Sequence, residues 1–395
     1  MRLSDDRHLA YCTNIHRGES WGETFAALQR HTLAVRDRVC PPGPYAIGLR
    51  LGCDAARELS EPQTVNAFRR WLEHNNCYVF TINGFPYGRF HGTRVKEQVY
   101  SPDWTTRERL EYTCALFKLL AGLLPTGVEG SVSTVPVSFK SFIMEEAQLV
   151  AARDNLWHCI DYLERLQART GKILHLGLEP EPLCYLETSE ETVRFFETMR
   201  RHRPGDARLG QFLGVNYDCC HLAIEFESAT AALDRLIGHG IKISKVHLSN
   251  ALAVFPTVEA CNVLRQFQDQ VYLHQVVVRG QDGTLTRHRD LDVALAACAP
   301  VDHPVAREQL SEWRVHFHIP LHSPPQTWGG NTVGHVCEVL DRMATQPGVC
   351  RHFEMETYTW EVMPASMRAV AVVDQLAAEY QWTLGEFAKR GVLAI

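Results

Sequence analysis

The chain has 395 residues, 45% of them hydrophobic and 22% charged, with a formal net charge of −6. That length can bury one large core or two moderate ones, and the composition is ordinary for a globular protein. The acidic balance disfavours a nucleic-acid partner, no apolar run reaches the length of a membrane span, and the polar start Met1–His8 lacks the apolar segment of a secretory signal, so a cytoplasmic location is expected.

In chain order, residues 11–15 read as a first short strand and residues 22–39 have helical spacing. Pro41, Pro42 and Pro44 break the chain before a second strand, Tyr45 to Leu51. Residues 62–75 present Val65, Phe68, Trp71 and Leu72 on one helical face. A third strand, Cys77 to Ile82, runs into Asn83-Gly84-Phe85-Pro86-Tyr87-Gly88-Arg89-Phe90-His91-Gly92, a loop long enough to fold over a pocket and without the pattern of a phosphate cradle. Helices are expected over Thr105–Leu124, 145–169, Ser189–His202, 222–238 and 333–345. Strands are expected over Ser131–Val137 and before Glu179, Asp218, His247 and Glu356. Strand–helix alternation at this spacing predicts a (β/α)8 TIM barrel forming one domain over residues 1–395, with a doubly wound open sheet as the structural alternative.

Residues 260–325 break the alternation. Val271–Val278 and Thr284–Thr286, joined by Arg279–Gly283, read as a β-hairpin, and Arg314–Pro320 as a further extended piece. Both lie between the seventh and eighth strands, which predicts an insertion covering the catalytic face.

The chemistry concentrates at four strand ends, which read in order Glu179, Asp218-x-x-His221, His247 and Glu356. Carboxylate oxygen and imidazole nitrogen in this mixture suit hard or borderline divalent metals. Each residue also has a plainer reading: Asp218 as a helix N-cap, Glu179 in a rim salt bridge, His247 as a satisfied core histidine. Glu181 shares a side with Glu179 by strand alternation and competes with it. Glu354 and Glu356 share a face too, and the outer one is preferred because chemistry sits at the barrel mouth. Lys245 is read as facing away from His247 and is left out of the site. His316 and His318 share one face and suit a second metal or substrate hydroxyls, with His91 and His16 on early loops as weaker candidates. Thirteen cysteines, an odd number without a C-x-x-C pair, make neither a disulfide framework nor a zinc ribbon.

This arrangement resembles the xylose-isomerase-like TIM-barrel superfamily of sugar phosphate isomerases and epimerases. Tyr11–His16, Asn83–Gly88 and Glu356–Trp360 look more specifically like the EboE family, the metabolite traffic proteins of the ebo gene cluster. The resemblance implies one divalent ion, manganese, zinc or similar, held by Glu179, Asp218, His247 and Glu356. It also implies Glu179 and Glu356 as acid and base, and His221, with His318 and His91 beside it, binding a sugar-like or polyol substrate. The endonuclease IV branch of the superfamily, a metal-dependent phosphoester hydrolase, carries an aspartate where this chain has His316, which counts against a full trinuclear site. A non-catalytic metabolite carrier on the same fold is the third expectation.

Overall fold

The computed structural model describes residues 1–40, 43–89, 95–298, 310–365, 368 and 370–395. Its main sheet contains β1 (Arg2–Leu3), β2 (Arg7–Tyr11), β3 (Tyr45–Arg50), β4 (Cys77–Asn83), β5 (Gly130–Thr134), β6 (Leu174–Leu178), β7 (Leu213–Asp218), β8 (Lys242–Leu248) and β14 (His352–Met355). The strand order is β1-β2-β14-β8-β7-β6-β5-β4-β3, and every pair except β1–β2 is parallel. A parallel bridge between Cys12 and Gly48 brings the two edges together, so the eight strands β2 to β8 and β14 form a nearly closed barrel of the TIM type.

The strands are buried almost throughout, as a parallel sheet with covered outer faces requires. Helices form where caps and apolar faces coincide. Thr106 accepts from Arg109 N to start Arg107–Leu123, Thr188 accepts from Glu191 N to start Ser189–His202, and Gly171 ends Glu146–Thr170 in the left-handed conformation.

Three local expectations need correction. The first barrel strand is Arg7–Tyr11, and Thr13–Ile15 make a 3-10 turn. Arg7 and His8 disguise this strand because they look polar, yet both are buried. Arg7 donates to Met343 O at 2.9 Å, and His8 Nδ1 lies 2.9 Å from Tyr78 Oη. The helix expected over 222–238 is two helices, Cys219–Ile224 and Ala229–Gly238. Phe226 between them has φ +58, and Ser228 caps the second. A helix at Cys53–Leu59 was not foreseen.

The insertion between the seventh and eighth barrel strands is broader than expected. It forms a second sheet from β9 (Leu252–Val254), β10 (Val276–Arg279), β11 (Leu285–His288), β12 (Glu312–Val315) and β13 (Gly330–Asn331), ordered β11-β10-β12-β9-β13 and antiparallel throughout. The foreseen hairpin is β10–β11, paired from Val276↔His288 to Arg279↔Leu285. Arg287 on β11 ties this sheet to the barrel through Glu225.

Strand spacing is tight where β7 passes β8. A Cβ at Gly214 would stand 2.3 Å from Lys242 O, a backbone atom that cannot step aside. Gly214→Ala is therefore expected to lower stability by about 1–3 kcal/mol through overpacking, read as a reduced urea midpoint at unchanged slope.

Candidate metal centre

Four polar side chains meet at the C-terminal mouth of the barrel. Glu179 follows β6 directly, its N–H bonded to Thr134 O at 3.1 Å. Asp218 is the last residue of β7, His247 lies on β8, and Glu356 follows β14 with its N–H on Leu248 O at 3.1 Å. One donor atom from each of Glu179, Asp218, His247 and Glu356 lies within 4.8 Å of all the others, and all four residues are buried. His247 Nδ1 is the hub. It stands 3.0 Å from Glu179 Oε1, 3.4 Å from Asp218 Oδ2 and 3.2 Å from Glu356 Oε2.

Asp218 plays two parts. Its Oδ1 caps the short helix Cys219–Ile224, accepting from His221 N at 3.0 Å, and also accepts from Ser249 Oγ at 2.6 Å. Its Oδ2 has no hydrogen-bond partner, and neither does Glu179 Oε2. Buried carboxylate oxygens without donors are costly unless a cation completes them. Glu356 is anchored differently: its Oε1 accepts from Asn14 Nδ2 at 2.8 Å and from Asn83 Nδ2 at 3.1 Å.

The charges are strongly coupled. Burial pulls the Asp218 carboxyl upward, but His221, His247 and His318 outweigh it and hold the group well below the usual range. Burial opposes a charged His247, but Glu356, Glu179 and Asp218 keep its imidazolium well above the ordinary value. Without a metal, the His247 proton supplies the missing positive charge.

Beside this cluster three histidines converge. His221 Nδ1 is 3.0 Å from Pro180 O, His316 Nδ1 is 2.7 Å from Gln275 Oε1, and His318 Nδ1 is 3.0 Å from Glu356 O. Each Nδ1–H thus has an acceptor, and the Nε2 atoms face one another, His221 to His316 at 3.0 Å and His316 to His318 at 3.2 Å. Burial and the neighbouring imidazoles push His316 well below its ordinary value. For His221 burial acts downward too, but Asp218 and Glu181 raise it. Asp218–His221–His318 and Glu181–His221–His316 are further groups able to hold an ion. Glu181 belongs to this second cluster. Its Oε1 accepts from Tyr100 Oη at 2.6 Å, and burial raises its carboxyl to about 7.

A pocket of about 60 Å³ opens above both clusters, with Glu179, Glu181, His221, His316 and Glu356 on its floor. Aromatic rings of Phe85, Tyr100, Tyr272 and Tyr358 form its walls, so the glycine-rich loop after β4 does reach the pocket. His91 lies outside the described residues. His16 is not at the cluster; its Nε2 sits 2.9 Å from Tyr11 Oη. Lys245, expected to face away from His247, faces with it into the barrel, as residues two apart on a strand do. Its Nζ donates to Glu354 Oε2 at 2.6 Å, and the same oxygen is 2.8 Å from His247 Nε2. Asn14, Asn83, Tyr100 and Gln275 escaped the sequence reading. Of these only Asn83, a polar residue ending an apolar strand, left a signal there.

No family model matches the chain, and no curated protein matches it in sequence. Solved structures match its fold. A D-tagatose 3-epimerase-like protein is 11% identical over 96% of this chain and 97% of that one, with a TM-score of 0.51. An L-ribulose 3-epimerase is 12% identical over 99% of this chain and 96% of its own, also at 0.51. The IOLI protein, solved with a bound zinc atom, is 13% identical over 97% and 98% of the two chains, again at 0.51. These neighbours share the barrel fold with this chain, two of them are named for sugar 3-epimerases, and the narrower likeness to EboE gains no support. No helix among the described residues is long and apolar enough to cross a membrane.

The cluster sets a pH window for the metal-free protein. Asp218 and Glu354 are held below their usual values of 3.8 and 4.5, Glu354 to about 2, so the stability they contribute is present above those values and is lost as pH falls. His247 is held above 6.5, so its contribution is full below 6.5 and is lost as pH rises through its folded value. In chelator-treated protein, the gap in Tm between wild type and His247→Gln is expected to be widest between 4.5 and 6.5 and to narrow at higher pH. Thermal melts across pH check this.

Proposed function

We propose that this chain is a metal-dependent isomerase or epimerase acting on a sugar, cyclitol or related polyol. The observation that carries the reading is the convergence of three carboxylates and one imidazole, with Glu179 Oε2 and Asp218 Oδ2 buried and unpartnered. Glu179, Asp218, His247 and Glu356 would hold one divalent ion of the manganese or zinc kind, oxygen and imidazole donors suiting either. When bound, such an ion supplies a Lewis acid for the negative charge that develops on a substrate oxygen.

The remaining chemistry belongs to the side chains. Moving a carbon-bound proton next to a carbonyl needs one group to take it and another to return it. Glu179 and Glu356 come from opposite edges of the four-strand arc β6, β7, β8 and β14, so they flank whatever occupies the pocket floor. Glu179 has a free oxygen, whereas Glu356 is oriented by Asn14 and Asn83, which makes Glu179 the better placed to accept the proton. His221, with His318 beside it, would orient substrate hydroxyls, and aromatic walls suit the C–H faces of a small polyol. The fold neighbours, which include an L-ribulose 3-epimerase and the zinc-bound IOLI protein, fit this reading.

A second reading has its own observation. Three Nε2 atoms facing one another at 3.0 and 3.2 Å could hold a second ion, and a two-metal site suits phosphoester hydrolysis. Metal analysis separates the two: one ion per chain favours the epimerase, two the hydrolase.

The decisive assay is deuterium incorporation from D2O into a carbon-bound position across a panel of ketoses, aldoses and cyclitols. Wild type is expected to exchange at least one member, and Glu179→Gln and Glu356→Gln each to slow exchange by about 10²-fold or more while the fold is kept. Exchange at the wild-type rate in both variants would remove these residues from the chemistry. Tight metal binding with no exchange across the panel would favour a carrier, and phosphate release the hydrolase.

A further inference from the structure

Below the four proposed ligands lies a buried group that the proposed chemistry leaves unused. Glu354 and Lys245 are 0% and 1% exposed, and both sit inside the barrel. Glu354 on β14 is the register partner of His247 on β8. A single oxygen, Glu354 Oε2, takes both Lys245 Nζ at 2.6 Å and His247 Nε2 at 2.8 Å. Lys245 is steadied in turn by Ser133 Oγ at 3.1 Å.

The seat for this carboxylate is built into a neighbouring strand. A Cβ at Gly48 would stand 1.9 Å from Glu354 Oε1 and 2.7 Å from Tyr11 O. Any residue larger than glycine at position 48 would therefore evict Glu354 or push the strands apart.

We infer that Glu354 is a positioning residue for the metal centre, fixing His247 as an Nδ1 ligand, with Lys245 and Gly48 holding Glu354 in place. The inference rests on the metal-centre reading above. A carboxylate can only accept, so the imidazole nitrogen facing it carries the hydrogen. The other nitrogen, Nδ1, is then the one aimed at Glu179, Asp218 and Glu356. A second carboxylate behind a ligating imidazole fixes the ring orientation and raises its donor strength. Lys245 adds a separate effect: it neutralises the buried charge of Glu354.

Two variants isolate the hydrogen bond from the charge. Lys245→Met with Glu354→Gln removes both charges but leaves an amide oxygen to accept from Nε2–H. Lys245→Met with Glu354→Met removes the charges and the acceptor, filling the same space with apolar chains, so neither variant strands a buried ion. The affinities for Zn2+ and Mn2+ would be measured by competition with a chromogenic chelator, and the metal-free Tm recorded for each protein. The Met/Met protein is expected to bind both ions at least about tenfold more weakly than the Met/Gln protein, at similar metal-free Tm. Equal affinity in the two variants, with wild type binding an ion, would overturn the positioning role and leave the metal centre standing. A folded wild type that binds neither ion would overturn the metal centre and this inference with it.

Discussion

Four carboxylates share the inside of one barrel with two cations, and the rest of the molecule is arranged around that imbalance. Glu179, Asp218, Glu354 and Glu356 are each at most 5% exposed, against Lys245 and the imidazolium of His247. Charge buried without compensation is among the most destabilising features a fold can carry. Here the compensation is graded by depth. The deepest acid, Glu354, has both cations, Lys245 and His247, on its Oε2, while its Oε1 beside Gly48 has no hydrogen-bond partner. Towards the mouth, Asn14 and Asn83 satisfy only half of Glu356, and Glu179 and Asp218 each keep one bare oxygen. Because Lys245 cancels the charge of Glu354, the surplus negative charge is left on Glu179, Asp218 and Glu356 at the mouth.

The polar character continues below that layer. TIM barrels are commonly filled by branched aliphatic side chains. In this chain His175 stacks on His352 and His8 meets His352 edge-on near the lower end, with Ser244, Ser131 and Tyr78 as their respective hydroxyl partners, and burial keeps His8 and His175 down at about 3 and 4. Neutral imidazoles can close this end because each has a hydroxyl to bond with. Stability therefore has to come chiefly from the outer faces of the strands, where Phe353 packs on Phe387 and apolar residues such as Val246 and Leu248 are fully buried.

Much of this was legible in the sequence, and the exceptions have physical causes. The last four barrel strands are apolar runs that end in acid or imidazole, so pattern located them and set Glu179, Asp218, His247 and Glu356 at their ends, with Glu181 and Glu354 left as rivals. The first strand was obscured because Arg7 and His8 are buried through specific hydrogen bonds that no periodicity announces. Lys245 was misplaced by setting aside the two-residue period that governs a strand. Asn14 and Tyr100 come from a turn and a short 3-10 segment, where side-chain direction follows from tertiary packing. The partition of Glu181 from Glu179 also needed coordinates, because residues 179–182 leave the strand and alternation ceases to apply.

The closing position of β14 has a consequence for how the chain acquires its form. This strand, His352–Met355, is laid between β2 and β8, joining segments from opposite ends of the sequence. Contacts of such long range are slow to form, because a large loop must close before they repay its entropy. The inserted sheet that carries His316 precedes β14, whereas Glu354 and Glu356 arrive with it or directly after it. During synthesis, then, the barrel stands open and the acids that follow β6 and end β7 face water until β14 has been made. The same step that seals the wall completes the polar centre, so an incomplete chain holds neither.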